Sequence, residues 1–369
     1  MYGSEVIKYL EEWAPPGAAW KDDNIGLQVG SREVKIKNIL IALELNQKVL
    51  NQAIKKNCNF IFTHHPFIFK PLNNLNFSKD PKAAIIRDLI KHDITLYSAH
   101  TNLDFTKDGV SFELAKKLKL KNIKFLVNEE NNQNKLVVFV PLEDVDEVAE
   151  AIFTAGGGVI DEYAKCSSQV IGEGTFEGSE STNPHIGEKN NFERVVEVRL
   201  EVLVHSWKMS SVVDAMLAAH PYEEPAYDIY PLNNRNSNYG YGAIGNLDAP
   251  MRTDEFLSHV KSSLDTDSLR YTVGKKNKIK TIAVCSGSGS DLLKNAISSK
   301  ADAFITADIK YHTFQDAENN ILMIDAGHYE TEVVVLKSVQ NRLTKLVKSK
   351  NIKVLKYNGS TNPIRFYNN

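Results

Sequence analysis

The sequence predicts a layered α/β protein whose main domain is discontinuous and interrupted by a small α+β insertion. Apolar strands alternate with helices in the first and last thirds of the 369-residue chain, whereas the middle third has a different order of elements. Asparagine-rich segments also lie near both ends of that middle part. We therefore expect one domain over residues 1–127 and 249–369, and an inserted domain over residues 128–248.

The first third reads as alternating buried strands and helices. Pro66 helps to end the second strand because proline lacks a donor for the sheet, and Pro81 suits the first turn of a helix. The predicted elements are a strand over 39–45, a helix over 49–56, a strand over 59–63, a helix over 81–92, a strand over 94–99 and a helix from about 110 to 118.

The last third repeats this order. The predicted elements are a strand over 280–284, a glycine- and serine-rich turn over 286–290, a helix over 291–299, strands over 303–306 and 321–324, an amphipathic helix ending near 347, and a closing strand over 353–357. Ligand sites in open α/β sheets gather at the carboxyl ends of the strands, so the residues that follow each strand are the first candidates for function.

The middle third begins with a polar junction over residues 128–134 that suits a linker. The predicted elements after it are a strand over 136–140, a helix over 145–155, strands over 168–175 and 194–204, a helix over 210–219 and a strand over 227–231. The order βαββαβ is the ferredoxin-like pattern, which is therefore the predicted fold of the insertion.

Composition excludes several classes of protein. A net charge of −2 argues against a dedicated nucleic-acid-binding face, and the three widely spaced cysteines imply no disulfide framework. The sequence contains no apolar run of signal-peptide length near its start and no membrane-spanning run of ~20 apolar residues. We therefore expect a cytoplasmic protein without a membrane or nucleic-acid partner.

Metal-ligating residue types follow the predicted strands. His64 and His65 end one strand, Asp104 comes shortly after another, and His328 follows a third. Glu332 lies four residues after His328, which places both side chains on one face of a helix. Adjacent histidines on an extended backbone point to opposite sides, so two ions bridged by a carboxylate would use both imidazoles.

Such mixed ligands suit zinc, manganese or ferrous iron. A histidine pair at a strand end and an exposed His–Glu ion pair on a helix would explain the same residues without metal. Spacing alone leaves both interpretations open.

Several segments closely resemble signatures of the Nif-three-like family, many of whose members are named GTP cyclohydrolase I type 2 homologues. They are residues 23–30 (DNIGLQVG), 63–72 (THHPFIFKPL), 98–104 (SAHTNLD), 286–290 (SGSGS) and 327–332 (GHYETE). Residues 220–228 (HPYEEPAYD) resemble the insertion of the longer bacterial members. The similarity spans nearly the whole chain in order.

The resemblance implies two divalent metal ions held by His64, His65, Asp104, His328 and Glu332. It also implies a toroidal homohexamer, a trimer of dimers, with the metal sites facing an internal cavity. The implied reaction is hydrolytic opening of the guanine ring of GTP, which gives formate and dihydroneopterin triphosphate.

Two positions depart from the family's pattern. Ala307 lies where Thr-Gly-Asp is usual, and Glu44 replaces a commoner aspartate. Neither is an implied ligand, but substrate contacts near Asp308 and His312 are affected.

Three further features have alternative interpretations. His100 is a candidate catalytic acid/base or substrate contact, or it orients Asp104, and His312 is a weaker candidate of the same kind. The turn over 286–290 is either a phosphate cradle or a tight strand-to-helix turn. The segment 220–228 is a third metal site, a helix exit marked by two prolines, or a regulatory or assembly surface.

Three functions follow from these features. The first is a metal-dependent hydrolase acting on a nucleotide such as GTP, and a dinuclear phosphoesterase would use the same ligands. The second is a non-catalytic oligomer that stores metal, delivers metal or has a regulatory role. The third and weakest is nucleic-acid binding by an assembled ring.

Overall fold

The computed structural model describes residues 1–367 of a mixed α/β protein with several sheets. The described residues divide into two compact units, one formed by Met1–Val127 together with the chain from Tyr239 onward, and one formed by Asn128–Asn238. Within residues 1–367, no helix is long and apolar enough to cross a membrane.

The chain up to the second unit forms five strands and five helices among its described residues. They are α1 (Gly3–Trp13), β1 (Gly26–Val29), β2 (Asn38–Ala42), α2 (Gln47–Lys55), β3 (Phe60–Thr63), α3 (Pro81–Lys91), β4 (Thr95–Ser98), α4 (Thr101–Asp104), α5 (Val110–Lys117) and β5 (Lys121–Asn128). The three predicted strands and three predicted helices of this part are confirmed within a few residues. The strands β1 and β5 and the helices α1 and α4 were not predicted.

The second unit has the element order strand, helix, strand, strand, helix, strand. Its elements are β6 (Gln133–Pro141), α6 (Val145–Thr154), β7 (Ser167–Glu177), β8 (Phe192–His205), α7 (Met209–Ala219) and β9 (Tyr227–Leu232). The sheet has the order β7-β8-β6-β9, and its neighbouring strands are antiparallel. Because β5 ends at Asn128 and β6 begins at Gln133, the predicted linker over 128–134 is wrong in extent.

The chain after the second unit completes the first unit. Its elements are β10 (Gly240–Arg252), α8 (Thr253–Leu264), β11 (Arg270–Tyr271), β12 (Lys278–Val284), α9 (Leu293–Ser298), β13 (Ala303–Thr306), α10 (Tyr311–Ala317), β14 (Leu322–Asp325), α11 (His328–Glu332), α12 (Val335–Leu346) and β15 (Lys353–Lys356). Strand β10 pairs with β12, so the division between the units lies before Gly240 and not at the predicted residue 248.

The first unit contains two sheets. The five-stranded sheet has the order β1-β4-β3-β2-β15, with β15, β2, β3 and β4 parallel and β1 antiparallel to β4. The six-stranded sheet has the order β11-β14-β13-β12-β10-β5, with β12, β13 and β14 parallel. Apart from the edge strand β15, the parallel strands occupy the centre of each sheet, where apolar side chains on both faces are buried.

Alternate residues of the parallel strands build two different cores. Phe60 and Phe62 of β3 pack into one cluster with α1 and α12, whereas Ile61 packs into another with α2 and α3. Period-two alternation explains why strands buried on both faces read as continuous apolar runs in the sequence.

The strand register determines where polar residues leave the sheets. Thr63, the last residue of β3, aligns with Ser98, the last residue of β4, and their hydroxyl oxygens are 2.8 Å apart. Thr306 of β13 aligns in the same way with Asp325 of β14. The residues that follow these strands therefore emerge side by side at the carboxyl edges.

Candidate metal centre

The five predicted ligands converge within the first unit. His64 and His65 follow β3, Asp104 ends the short helix α4 that begins after β4, and His328 and Glu332 are the two ends of α11. The side chains of His64 and Glu332 are almost completely buried. Residues separated by more than two hundred positions in the sequence thus surround one point.

His64 presents an unprotonated nitrogen to this point. Its Nδ1 donates a hydrogen bond to the carbonyl of Ala99 at 2.8 Å, which leaves Nε2 without a proton. Nε2 lies 3.7 Å from Oδ1 of Asp104 and 3.9 Å from Oε1 of Glu332. Burial lowers the pKa of His64 to about 3, so its ring is neutral at pH 7.

Both His64 Nε2 and Asp104 Oδ1 are buried and have no hydrogen-bond partner among the described residues. Burying a polar atom without a partner costs about 1–3 kcal/mol, so native proteins rarely leave two such atoms facing each other. A cation between them would satisfy both atoms. This pair is the main structural sign that the residues fit a metal.

His65 is held between two carboxylates. Its Nδ1 lies 3.2 Å from Oε1 of Glu44, and its Nε2 lies 2.9 Å from Oε2 of Glu332. Burial lowers the pKa of His65, but the hydrogen bonds to Glu332 and Glu44 outweigh burial and raise it to about 10. Both nitrogens of the ring therefore carry protons at pH 7 in the ion-free chain, and a metal cation could replace one of these protons.

One turn of α11 brings His328 and Glu332 together, with Nε2 3.1 Å from Oε1. The other nitrogen of His328, Nδ1, lies 2.6 Å from Oδ2 of Asp308. Burial lowers the pKa of His328, but its bonds to Glu332 and Asp308 outweigh burial and raise it to about 9. Such a carboxylate partner fixes the orientation of a ligating histidine.

The two buried carboxyls have opposite pKa shifts. Burial raises the pKa of Asp104 to about 7, and the nearby charge of Glu332 adds to this effect. Burial would also raise the pKa of Glu332, but hydrogen bonds from His328 and His65 hold it well below its usual range. Glu332 is therefore the permanent anion of the cluster.

The glycine-rich turn packs directly against Glu332 and His328. A Cβ atom on Gly287 would lie 2.1 Å from Oε1 of Glu332 and 3.3 Å from Cε1 of His328, and Gly287 has a φ of +58°. Only glycine avoids both the clash and the backbone strain at this position. The turn therefore leaves room for the carboxylate and for whatever it binds.

The same turn offers little to a phosphate group. The amides of Ser286, Gly287 and Gly289 already donate to the hydroxyls of Ser111, Thr331 and Thr306 at 2.9–3.2 Å. These bonds support the interpretation of 286–290 as a tight strand-to-helix turn.

His100 joins the cluster through a second carboxylate. Its Nδ1 lies 3.0 Å from both side-chain oxygens of Asp23, and the amide and hydroxyl of Thr101 also donate to Asp23. The pKa of Asp23 is lowered because these hydrogen bonds outweigh its burial. The ring centroid of His100 lies 5.2 Å from that of His64 and 5.4 Å from that of His65.

Two overlapping groups of donor atoms could each hold an ion. One ring nitrogen from each of His64, His65 and His100 lies within 4.8 Å of the others, and so do donor atoms of His65, His328 and Glu332. Asp104 adds an oxygen beside His64. Nitrogen and carboxylate donors in this mixture match zinc, manganese or iron.

A cavity of about 300 Å³ opens beside the cluster. His100, Asp104, His328 and Glu332 form part of its wall. The rest of the wall includes the apolar rings of three aromatic residues. The ring centroid of Phe105 lies 5.4 Å from that of Trp20 and 4.6 Å from that of Tyr241. The cluster is therefore accessible to a small molecule with a planar, apolar part.

Some predicted candidates lie elsewhere. His312 is exposed on α10, where its Nδ1 contacts Gln315 at 2.9 Å, and it does not line the cavity. His220 of the 220–228 segment has both nitrogens engaged, as Nε2 contacts the carbonyl of Phe139 at 2.9 Å and Nδ1 accepts from the amide of Tyr222 at 3.1 Å. A third metal site that uses His220 is therefore contradicted.

Sequence reasoning missed two supporting residues. In the sequence, Asp23 stands out only as part of the DNIGLQVG motif, and Glu44 only as a departure from the family's pattern. Their partners are 77 and 21 positions away, so no local spacing signals the contacts. The DNIGLQVG motif is the one sequence signal that points to Asp23.

The fold and this cluster together define a mixed α/β protein with residues that could hold metal at the carboxyl edges of two sheets. The chain belongs to the Duf34/NIF3 (NGG1p interacting factor 3) family, whose model matches residues 1–363.

Its relatives extend over almost the whole chain. It is 38% identical to a protein of Halalkalibacterium halodurans named GTP cyclohydrolase 1 type 2 homolog, over 94% of each chain. It is 34% identical to a protein of the same name in Bacillus subtilis, over 99% of this chain and 98% of the other. The crystal structure of a Bacillus cereus protein related to NIF3 has a TM-score of 0.84 and 36% identity, and the match covers 100% of this chain and 99% of that one.

Proposed function

We propose that His64, His65, Asp104, His328 and Glu332 bind two divalent ions, zinc, manganese or iron, and that the chain is a metal-dependent hydrolase. The observation that carries this proposal is the facing pair of buried, unpartnered atoms, His64 Nε2 and Asp104 Oδ1. Asp104 beside His64, together with His328 and Glu332 beside His65, favours two neighbouring ions over one.

Two bound ions would lower the pKa of a water molecule and polarise the atom that it attacks. The protein's own contribution is proton transfer and positioning. Asp23 holds Nδ1 of His100 in its protonated form, so Nε2 of His100 is the free nitrogen that accepts and returns a proton. Asp308 and Glu44 fix the rings of His328 and His65.

The substrate that this site fits best is a nucleotide with a planar base, such as GTP. Rings of Trp20, Phe105 and Tyr241 beside the cluster can stack on a heterocycle. The curated relatives' name, GTP cyclohydrolase 1 type 2 homolog, agrees with hydrolytic opening of the guanine ring. A phosphoesterase would use the same ligands and would attack phosphorus instead of carbon.

The test compares the wild-type chain with His100→Ala after loading with manganese, iron or zinc. GTP and simple phosphodiesters serve as substrates, and metal content is measured in parallel. We expect metal-dependent turnover of GTP, and we expect His100→Ala to lose about 10²-fold or more of it while retaining its metal.

Three other outcomes have clear meanings. Turnover of phosphodiesters alone would identify a phosphoesterase. Metal binding without turnover of any substrate would favour a storage or regulatory protein. Loss of metal together with activity in His100→Ala would make His100 a ligand.

We also propose a cytoplasmic homohexamer, a trimer of dimers, built from a discontinuous α/β domain with a ferredoxin-like insertion. The strand order β7-β8-β6-β9 supports the fold of the insertion. Sedimentation equilibrium should give six times the chain mass of 41.4 kDa, and a monomer or dimer would contradict the assembly.

A further inference from the structure

The second unit contains a cavity of about 440 Å³, and none of the residues that line it belongs to the candidate metal centre. Its floor is the sheet face that carries Phe139 and Glu197, and its walls are the β7–β8 connection and the segment 220–228. Its volume is in the range of pockets that bind small molecules.

His220 explains the position of one wall. Because both of its ring nitrogens bond to the backbone of Phe139 and Tyr222, it ties the α7–β9 connection to the edge of the sheet. The residues that follow, Tyr222, Glu223 and Glu224, line the cavity as a result. The 220–228 motif thus builds a pocket wall.

The lining is acidic and aromatic. It includes the rings of Phe139, Phe176 and Tyr222, and no lysine or arginine. Four glutamates supply the negative charge: Glu177, Glu197, Glu223 and Glu224. Two basic side chains on the same sheet face, Arg199 and Lys135, both pair with Glu201 at 2.9 and 2.7 Å. Within the part of the chain that the structure describes, no basic side chain forms an ion pair with Glu197.

Glu197 is half-buried beside strand β7. A Cβ atom on Gly174, across the sheet, would lie 2.1 Å from Oε2 of Glu197, so only glycine leaves this carboxylate in place. The buried hydroxyl of Tyr222 lies beside Glu197, and its burial, followed by its interaction with that carboxylate, raises the pKa of the hydroxyl. An oxygen pair of this kind can accept N–H groups from a cation.

An inorganic cation fits less well. Among the described residues, no three histidine, cysteine, aspartate or glutamate donor atoms of this cavity lie within 4.8 Å of one another. Glu223 is also engaged, since it accepts a hydrogen bond from the amide of Asn183 at 3.0 Å. The guanidinium of Arg199 already lies 5.7 Å from the centroid of the Phe139 ring. The rings of Phe176 and Tyr222 remain to attract an organic ammonium ion through their faces.

We propose that this cavity binds an aliphatic di- or polyamine, with one ammonium group on Glu197 and Tyr222 and the methylene chain along the aromatic rings. All of the residues that line this cavity belong to the second unit. Amine binding there would serve ligand sensing, a function separate from the proposed hydrolysis.

The test is isothermal titration calorimetry of the full, manganese-loaded chain with putrescine and spermidine at about 150 mM salt, where long-range attraction is largely screened. We expect saturable binding. Glu197→Gln should weaken it about tenfold because a charge-assisted hydrogen bond is lost. Gly174→Ala should weaken it similarly by displacing the same carboxylate.

Two controls separate a site from general attraction. Glu173→Gln removes an exposed carboxylate that pairs with Arg194 outside the cavity, and it should leave the affinity unchanged. A diol of the same chain length as putrescine should fail to bind to the wild-type chain, a result that does not depend on any variant folding.

Several results would overturn the proposal. These are the absence of amine binding, equal weakening by Glu173→Gln and Glu197→Gln, unchanged affinity in both Glu197→Gln and Gly174→Ala, equal binding of the diol, or displacement of the amine by excess manganese.

Discussion

His64 and His220 are both buried histidines that directly follow a regular element, β3 in one case and α7 in the other. His64 uses one nitrogen to bond a carbonyl and leaves the other unpartnered beside two carboxyls. His220 uses both nitrogens for hydrogen bonds with the backbone, one at Phe139 and one at Tyr222. Burial and residue type alone therefore do not mark a candidate metal ligand, which also needs a free nitrogen that faces other donor atoms.

Replacement of these two histidines by alanine gives the largest predicted contrast. His64→Ala should weaken metal binding about 10³-fold, since it removes a ligand and leaves Asp104 unpaired. His220→Ala should leave metal affinity unchanged and lower the free energy of unfolding by about 1–3 kcal/mol through two lost hydrogen bonds. Competition with a fluorescent chelator measures the affinity. Equal losses of affinity in both variants would remove the distinction.

The pH dependence of metal binding is the second contrast. His65 and His328, with pKa values of about 10 and 9, carry protons at pH 7 in the ion-free chain, so binding a metal must displace them. Affinity should therefore fall as pH decreases from about 9 to 6, by roughly tenfold per pH unit for each displaced proton. His64 stays neutral above about pH 3 and adds nothing, whereas Asp104, with a pKa of about 7, adds a further proton to displace below that pH.

Calorimetry in buffers of different ionisation enthalpy counts the released protons directly. Metal affinity that is constant between about pH 6 and 8, with no proton release, would show that His65 and His328 are not ligands.

Two glycines with positive φ give a smaller contrast. Gly287→Ala should weaken metal binding about 10–100-fold, because its Cβ would displace the Glu332 carboxylate. Gly156 of the second unit has a φ of +104°, and a Cβ there meets only the Lys208 side chain at 3.5 Å. Gly156→Ala should therefore cost about 1–3 kcal/mol of stability without changing metal affinity. A loss of metal in Gly156→Ala would indicate that backbone strain alone explains the result.

The predicted effect of Asp23→Asn is the smallest. The amide no longer fixes the protonated Nδ1 of His100, so metal content should stay the same while the proposed turnover falls about tenfold and its pH optimum shifts. A pH–rate profile of the metal-loaded chain checks this prediction. An unchanged profile would mean that the Asp23–His100 pair does not transfer protons.

The sequence predicted the central parallel strands well because their burial on both faces leaves continuous apolar runs. Strands β3 and β13 were bounded almost correctly for this reason. Strand β10 was not predicted because Gly240, Gly242 and Gly245 interrupt its apolar pattern. Gly242 and Gly245 lie where the backbone of neighbouring strands approaches closely, which explains why glycine occurs there. The short edge strand β11 has only two residues and leaves no pattern to detect.

The metal-ligand candidates came from strand ends and from the family resemblance, and the family membership is confirmed. Their supporting contacts could not be predicted, because Asp23–His100 and Asp308–His328 join residues from different strand ends. The strand register, which aligns Gly26 with Ser98 and Thr306 with Asp325, brings these residues together.

Elemental analysis of the wild-type chain tests whether this cluster holds two ions. The chain is saturated with manganese, freed of excess metal by gel filtration, and analysed for metal and protein together. We expect about two ions per chain. A plateau at one ion per chain, or at none, would contradict it.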